Sequence, residues 1–325
     1  MEKYAQYKAQ IEATLLNLDL KDNPQGLYEP IAYILSLGGK RLRPVLTLAA
    51  CDLFGGNTKA ALPAACGLEI FHNFTLLHDD IMDEAPTRRG METVHKKWNA
   101  NAAILSGDTM LALAYRQIHT SPGIKNISEI LNVFSQTAIE VCEGQQYDMD
   151  FEKIPGVSIP EYLKMIKLKT AVLLGASLKI GAICADAGEQ QAQLIYDFGV
   201  NIGMAFQLKD DYLDAFGDFE KFGKSIGGDI AANKKTWLYL KCQELANEED
   251  RKQLLDYFAR NEIDSGEKIK QVLHLYAKYE IKKHITAEME KYFGKSLELM
   301  KKLNADTQRK NDLTSYAEWL YKRDH

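Results

Sequence analysis

No two cysteines in this sequence are spaced for a CxxC pair. Five are scattered at Cys51, Cys66, Cys142, Cys184 and Cys242. An odd, dispersed set argues against a disulfide framework or a zinc site and reads as the reduced thiols of an intracellular protein. No uninterrupted apolar run approaches the roughly 18 residues of a membrane span. The first twenty residues carry charges throughout and lack the apolar core of a signal peptide. The expectation is a cytoplasmic protein with no membrane span. A basic excess is also missing: the net charge of -5 argues against a nucleic-acid partner. Runs of alternating β-branched residues between hairpin turns are absent, as are linkers and fixed-period repeats.

What is present is helical periodicity. Eight prolines in 325 residues leave room for long helices. Helices are expected in YEPIAYILSLGG, in PVLTLAACDLFGG, from Ala64 to Glu84, from Asn99 to His119 and from Ile127 to Asp150. The pattern continues through EYLKMIKLKTAVLLGASLKIGAI and QAQLIYDFGVNIGMAFQLKDDYLDAF. Segments such as NAAILSGDTMLALAYRQI are apolar on more than one face, as in a large bundle. The fold class predicted is all-α, one domain over 1–325. The tail from Glu249 reads as a charged, amphipathic outer face.

Two acidic clusters share the pattern DDxxD. The first holds Asp79, Asp80 and Asp83, the second Asp210, Asp211 and Asp214. On a helix, residues i and i+4 have Cβ atoms about 5–6 Å apart, so Asp79 and Asp83 should face together, as should Asp210 and Asp214. Carboxylates that close repel each other without a cation. Acid at a helix C-terminus also opposes the macrodipole. A single cluster is better explained as a solvated turn at a helix end. Two of them, each at the end of an apolar helix and followed by basic residues, suit Mg²⁺, which takes one or two carboxylates plus phosphate oxygens.

Basic clusters accompany them. GGKRLRP holds Lys40, Arg41 and Arg43, and PTRRG holds Arg88 and Arg89. KLKTA holds Lys167, Lys169 and Thr170, and GKSIGGDIAANKKTW holds Lys224, Lys234 and Lys235. Each alone is also a plausible helix cap. Arginine forks and lysine point charges both bind phosphate oxygens. The combination suggests a site that binds diphosphate directly and through metal.

The motifs GGKRLRP, LLHDDIMDEAPTRRG, EGQQYD, KLKTA, GMAFQLKDDYLD and GKSIGGDIAANKKTW, in this order with a basic YKR near the end, resemble those of the trans-isoprenyl diphosphate synthases, the polyprenyl synthetase family. The resemblance spans nearly the whole chain. It implies an all-α bundle around a deep central cavity, a homodimer, and head-to-tail condensation of isopentenyl diphosphate with an allylic diphosphate. It implies three Mg²⁺ ions, two held by Asp79 and Asp83 and the third by Asp210, with Asp80, Asp211 and Asp214 in support. Arg88, Lys169, Lys224 and Lys234 would clamp the allylic diphosphate. Lys40, Arg43, His72 and Arg89 would take isopentenyl diphosphate. Gln207 and Thr170 would lie beside the cation, and Gln145 and Asp148 near the metal. His72 lies seven residues before Asp79, about 20° away around a helix, which agrees.

In such synthases product length depends on what blocks the growing tail beneath the first acidic cluster. Phe74, five residues before Asp79, is bulky and argues for a short product. Thr75 and Phe71 fall within about 80° of Asp79 and Phe74 about 140° away, so Phe71 is an equal candidate for the floor. A fifteen- or twenty-carbon product is expected. A class I terpene cyclase and a non-catalytic regulatory subunit are the alternatives, and both usually lack motifs present here. His78 is expected to support the acidic cluster. Cys66, Cys142 and the tryptophans Trp98, Trp237 and Trp319 are expected to pack.

Overall fold

The computed structural model describes residues 1–154, 156–217, 226–259 and 265–322. The fold is all-α, and among the described residues the one exception is a two-stranded ribbon. The chain forms two compact units. The first comprises Met1–Gln136, Ala176–Tyr196 and Asn304–Leu313, and the second Thr137–Gly175, Asp197–Leu303 and Thr314–His325.

The first unit begins with α1 (Glu2–Leu16), α2 (Gln25–Ser36), α3 (Leu42–Leu53) and α4 (Thr58–Met82). α4 starts earlier than the sequence suggests. Asn57 caps it by accepting from the Lys59 N–H at 3.0 Å, and Pro63 is absorbed inside the helix rather than preceding it. By length and composition α4 could cross a membrane, but 67% of its apolar window is buried inside the protein. It also carries Glu69, Asn73 and Asp80 in buried positions. It is a core helix.

After α4 comes the ribbon of β1 (Thr87–Arg88) and β2 (Met91–Glu92), paired antiparallel. Its turn residues Arg89 and Gly90 have φ of +55° and +78°. Two left-handed residues match the twist of a two-residue hairpin. No alternating pattern is possible in strands so short, which is why the sequence hid them. The short α5 (Val94–Lys97) leads to α6 (Ala100–His119). α6 is capped by Asn99, which accepts from the Ala102 N–H at 2.9 Å.

A buried ion pair joins α2, α3 and α4. Arg41, only 5% exposed, donates to Glu69 Oε1 at 2.7 Å and to the Leu35 carbonyl at 2.6 Å. Asn73 Nδ2 donates to the same Glu69 oxygen at 3.1 Å. Arg41 thus serves structure rather than binding.

The second unit holds most of α7 (Ile127–Lys153), then α8 (Ile159–Ile166). A π-helical turn, Lys167–Ala171, separates α8 from α9 (Val172–Cys184). α10 (Glu189–Phe216) carries the second acidic cluster. It is followed by α11 (Gly228–Ala231), α12 (Trp237–Leu245), α13 (Glu248–Ala259), α14 (Ser265–Lys278), α15 (Ile281–Lys302) and α16 (Thr307–Lys322). The tail is less of an outer face than expected: Val272, Tyr276, Ile281 and Ile285 are buried. Cys142 is exposed, against expectation, whereas Cys66 and Trp237 are buried; Trp319 is exposed yet stacks on Tyr316 at 5.8 Å.

Replacing Glu69 by Leu leaves Arg41 as an unpaired buried charge. The expected loss is about 3–5 kcal/mol in urea denaturation. A loss below about 1 kcal/mol would show that Arg41 finds another partner.

Candidate functional site

The first acidic cluster ends α4, and its three aspartates differ. Asp80 is buried and grips Arg88: Arg88 Nε lies 2.8 Å from both carboxylate oxygens, and Nη2 lies 2.7 Å from Oδ1. This two-point fork fixes the ribbon against the end of α4. Asp79 stands 3.8 Å from the same guanidinium. Asp83 keeps the helical i, i+4 relation to Asp79: its backbone is right-handed and its N–H donates to the Asp79 carbonyl at 2.9 Å. It is the C-cap of α4, and its side chain is exposed.

On the same helix His72 Nε2 lies 2.9 Å from Arg43 Nη1. A guanidinium can only donate, so Nε2 is the acceptor and the ring proton sits on Nδ1. Burial, then the charges of Arg43, Arg89, Arg88 and Arg41, holds the imidazole well below its usual range. Burial also lowers Arg43 to about 10, opposed by Glu69 and reinforced by Arg89. His72 is thus neutral and Arg43 charged near neutral pH.

Arg89 Nη1 donates to the Gly38 carbonyl. A Cβ on Gly39 would come within 3.0 Å of that guanidinium. The glycine pair of GGKRLRP therefore makes room for the arginine of PTRRG. Lys40 is exposed.

Beneath these residues the aromatic rings form a chain. Phe71 lies 5.7 Å from Phe74 and 5.2 Å from Phe134, and Phe74 lies 4.7 Å from His78. Thr75 donates to the His72 carbonyl at 2.8 Å. His78 faces the Ile104 carbonyl at 3.3 Å and packs on Phe74, so it belongs to the helix contact and not to the acidic cluster.

In the second unit a cavity of about 140 Å³ collects seven of the residues singled out in the sequence: Asp148, Lys169, Thr170, Gln207, Asp211, Lys234 and Lys235. One close contact shapes it. A Cβ on Gly144 would stand 2.2 Å from the Lys169 backbone nitrogen, so only glycine lets α7 touch the π turn. The turn presents Lys169, whose Nζ donates to Asp148 Oδ2 at 2.6 Å, and Thr170, which donates to Gln207 Oε1 at 3.3 Å. A π turn in this place is typical of functional segments of helices. Gln145 is half-buried on α7, one residue beyond Gly144.

The aspartates of α10 also differ from one another. Asp210 is exposed. Asp211 is 3% exposed and accepts from the Tyr162 hydroxyl at 2.5 Å. Burial pushes Asp211 well above the carboxylate range, Asp229 and Asp210 add to the rise, and the Tyr162 hydrogen bond opposes it. Asp214 Oδ2 accepts from the Asp229 N–H at 3.0 Å and so holds the start of α11.

Lys235 reaches the cavity wall, but its ammonium is engaged by backbone carbonyls. Its Nζ donates to the carbonyls of Phe151, at 2.8 Å, and Ile154. It caps α7, the alternative its type always carries. Lys224 lies outside the described residues. Tyr162, Asp229 and Asn233 line the cavity without having been singled out. Asp229 could have been found from its place in GGDIAANKK; Tyr162 carried no signal in the sequence.

Among the described residues no three His, Cys, Asp or Glu side chains form a ready metal cage. The donors are all carboxylate oxygens, with Asp83 and Asp210 at the surface. That set fits Mg²⁺, which binds few carboxylates and completes its shell with water and substrate oxygens.

A sequence model described as polyprenyl synthetase matches residues 24–276. The chain is 41% identical over 232 residues, 70% of each chain, to a geranylgeranyl diphosphate synthase of Sulfolobus acidocaldarius. It superposes with a TM-score of 0.92 on a crystal structure of a geranylgeranyl pyrophosphate synthase, 46% identical, covering 100% of this chain and 99% of the other. It superposes at 0.85 on a 25% identical polyprenyl synthase of Caulobacter crescentus solved with calcium and isoprenyl diphosphate, covering 100% and 96%.

Two tests follow from this geometry. Gly144→Ala should cost about 1–3 kcal/mol by overpacking against the Lys169 backbone. The control Gly294→Ala, with nothing within 4 Å of its Cβ, should be neutral or stabilising in thermal unfolding. For His72 the folded pKa is depressed, so the unfolded chain binds the extra proton first. Stability is therefore full above about pH 6.5 and falls as the pH drops below it. His72→Gln should flatten that acid limb in chemical denaturation; an unchanged slope would show that His72 does not set it.

Proposed function

The chain belongs to the polyprenyl synthetase family, and on that premise we propose that it joins isopentenyl diphosphate head-to-tail to an allylic diphosphate. It is a trans-prenyltransferase of the short-chain class. One observation carries the mechanism: a single cavity holds Lys169, Lys234, Thr170 and Gln207 together with Asp148 and Asp211. A departing diphosphate requires cations that bind its oxygens directly and carboxylates that bind them through metal.

In this reaction the C1–O bond of the allylic diphosphate breaks and diphosphate leaves with the electron pair. The double bond of isopentenyl diphosphate then supplies the electrons of the new carbon–carbon bond to C1. A proton lost from the adjacent carbon passes to the released diphosphate, so no side-chain base is required. Magnesium, on which the family depends, supplies charge neutralisation for the leaving group. Asp79, Asp83 and Asp210 would hold it, three ions in all.

Arg88, Lys169, Lys224 and Lys234 bind the allylic diphosphate in this reading. Lys40, Arg43, His72 and Arg89 bind isopentenyl diphosphate. A neutral His72 that already accepts from Arg43 keeps its Nδ1–H as a donor. Thr170 and Gln207 turn oxygen dipoles toward the developing cation. Asp80, Asp211 and Asp214 act as supports through Arg88, Tyr162 and the Asp229 backbone. Gln145 and Asp148 complete the wall beside the metal.

The product has fifteen or twenty carbons, a reading supported by the buried Phe71 and Phe74 rings. The geranylgeranyl relatives make the twenty-carbon homologue the stronger choice. We read the two units as one catalytic domain, since the family match spans segments of both. The chain is placed in the cytoplasm as a homodimer. Exposed Ile104 and Leu105 on α6 support the pairing.

Labelled isopentenyl diphosphate, several allylic primers and Mg²⁺ test this. Incorporation is expected, and Asp79→Ala and Asp210→Ala should each lower it by about two orders of magnitude. Phe71→Ala and Phe74→Ala should lengthen the product on chromatography. Unchanged lengths from both rule out this floor. No incorporation with any primer removes the synthase reading, and a hydrocarbon formed without isopentenyl diphosphate would replace it by a cyclase.

A further inference from the structure

The segment 227–236 carries Asp229 and Lys234 to the cavity wall. Two of its anchors are described above: Asp214 at its start and Lys235 at its end. A third comes from α14. Ile269 packs where a Cβ on Gly227 would come within 2.7 Å. Beside it, Lys268 Nζ donates to Asn233 Oδ1.

Lys268 is 3% exposed. Among the described residues no carboxylate pairs with it. Its other neighbour is the Phe258 ring, 5.0 Å from Nζ. Lysine is almost never so buried without a counter-charge, because desolvating an ammonium is costly. The residue it holds is itself unusual. Asn233 has φ +57°, a left-handed conformation that costs energy in a residue with a side chain. The next residue, Lys234, donates its N–H to the Asp229 carbonyl at 2.9 Å and closes the turn.

We propose that Lys268 is a positioning residue that, through Asn233, fixes the turn bearing Asp229 and Lys234 and so sets affinity for the diphosphate bound there. This rests on the diphosphate reading of the cavity given above. Lys268 itself does not line the cavity, so it acts only through the turn.

The test uses the full chain with Lys268→Met, Asn233→Gly and both together. Asn233→Gly keeps the left-handed backbone and removes the amide. Lys268→Met should raise KM for the allylic diphosphate about tenfold, the scale of a lost charge-assisted hydrogen bond. KM for isopentenyl diphosphate should stay within about twofold, since its residues belong to the other unit. Hydrogen–deuterium exchange should quicken in 227–236 and stay unchanged in 127–136. The double variant should be no worse than the worse single one, since both remove one contact. Wild-type exchange and an unchanged allylic KM in Lys268→Met would overturn the proposal. So would additive effects, or equal rises in both KM values that follow a drop in melting temperature. An inactive wild type would instead sink the diphosphate reading, and the exchange comparison would still decide whether Lys268 holds the turn.

Discussion

One guanidinium, that of Arg41, sets the arrangement of the first unit. It binds a carboxylate on α4 and a carbonyl at the end of α2 while its own backbone opens α3 in a left-handed conformation, φ +49°. Its Nε meets no acceptor among the described residues, so the pairing is imperfect and still retained. Breaking such a pair costs far more than never having had it, because the surviving charge has no water to return to. α3 and α4 also present Arg43 and His72 as a second pair, 2.9 Å apart. With Glu69 committed to Arg41, no carboxylate among the described residues forms an ion pair with Arg43, and it keeps its charge for an anion from outside.

The second unit settles its charges differently. Asp148 is matched by Lys169, Asp211 by a phenol and by its own tendency to take a proton, and Asp214 by a backbone N–H. Each aspartate that is tied down orients something next to it. The two that reach the surface, Asp83 and Asp210, lie one in each cluster. A repeated DDxxD is thus less a set of equal ligands than a mixture of anchors and contact groups. Which is which follows from burial.

Burial is what the sequence could not convey. The helices were legible because apolar spacing and caps act within a few residues, and α6 lies within a residue of its expected limits. The oxygen-only donor set and the cationic groups around it were legible as residue types in motifs. The motifs did not reveal that Arg41, Lys235 and Lys268 turn inward, since a charge looks the same in a string whether it meets solvent or a carbonyl. Tyr162 gave no sign at all, because its partner lies 49 positions away. Phe71 and Phe74 were both named as a floor; their mutual contact is an i, i+3 neighbourhood within α4, whereas the contact with Phe134 comes from α7, far along the chain.

The π turn at Lys167–Ala171 has a geometric effect on everything after it. One surplus residue in a helix advances the side chains beyond it by about 100° relative to an uninterrupted α-helix. α8 and α9 are therefore out of phase with each other. The amphipathic stripe of α8 keeps its own bed, while the almost wholly buried α9 is rotated so that Gly181 meets the α3 backbone, 2.1 Å from the Thr47 oxygen for a would-be Cβ. Deleting a single residue there would leave composition and helicity nearly intact yet change the phase of α9 relative to α8 by about 100°. Length at this spot is thus constrained more tightly than identity.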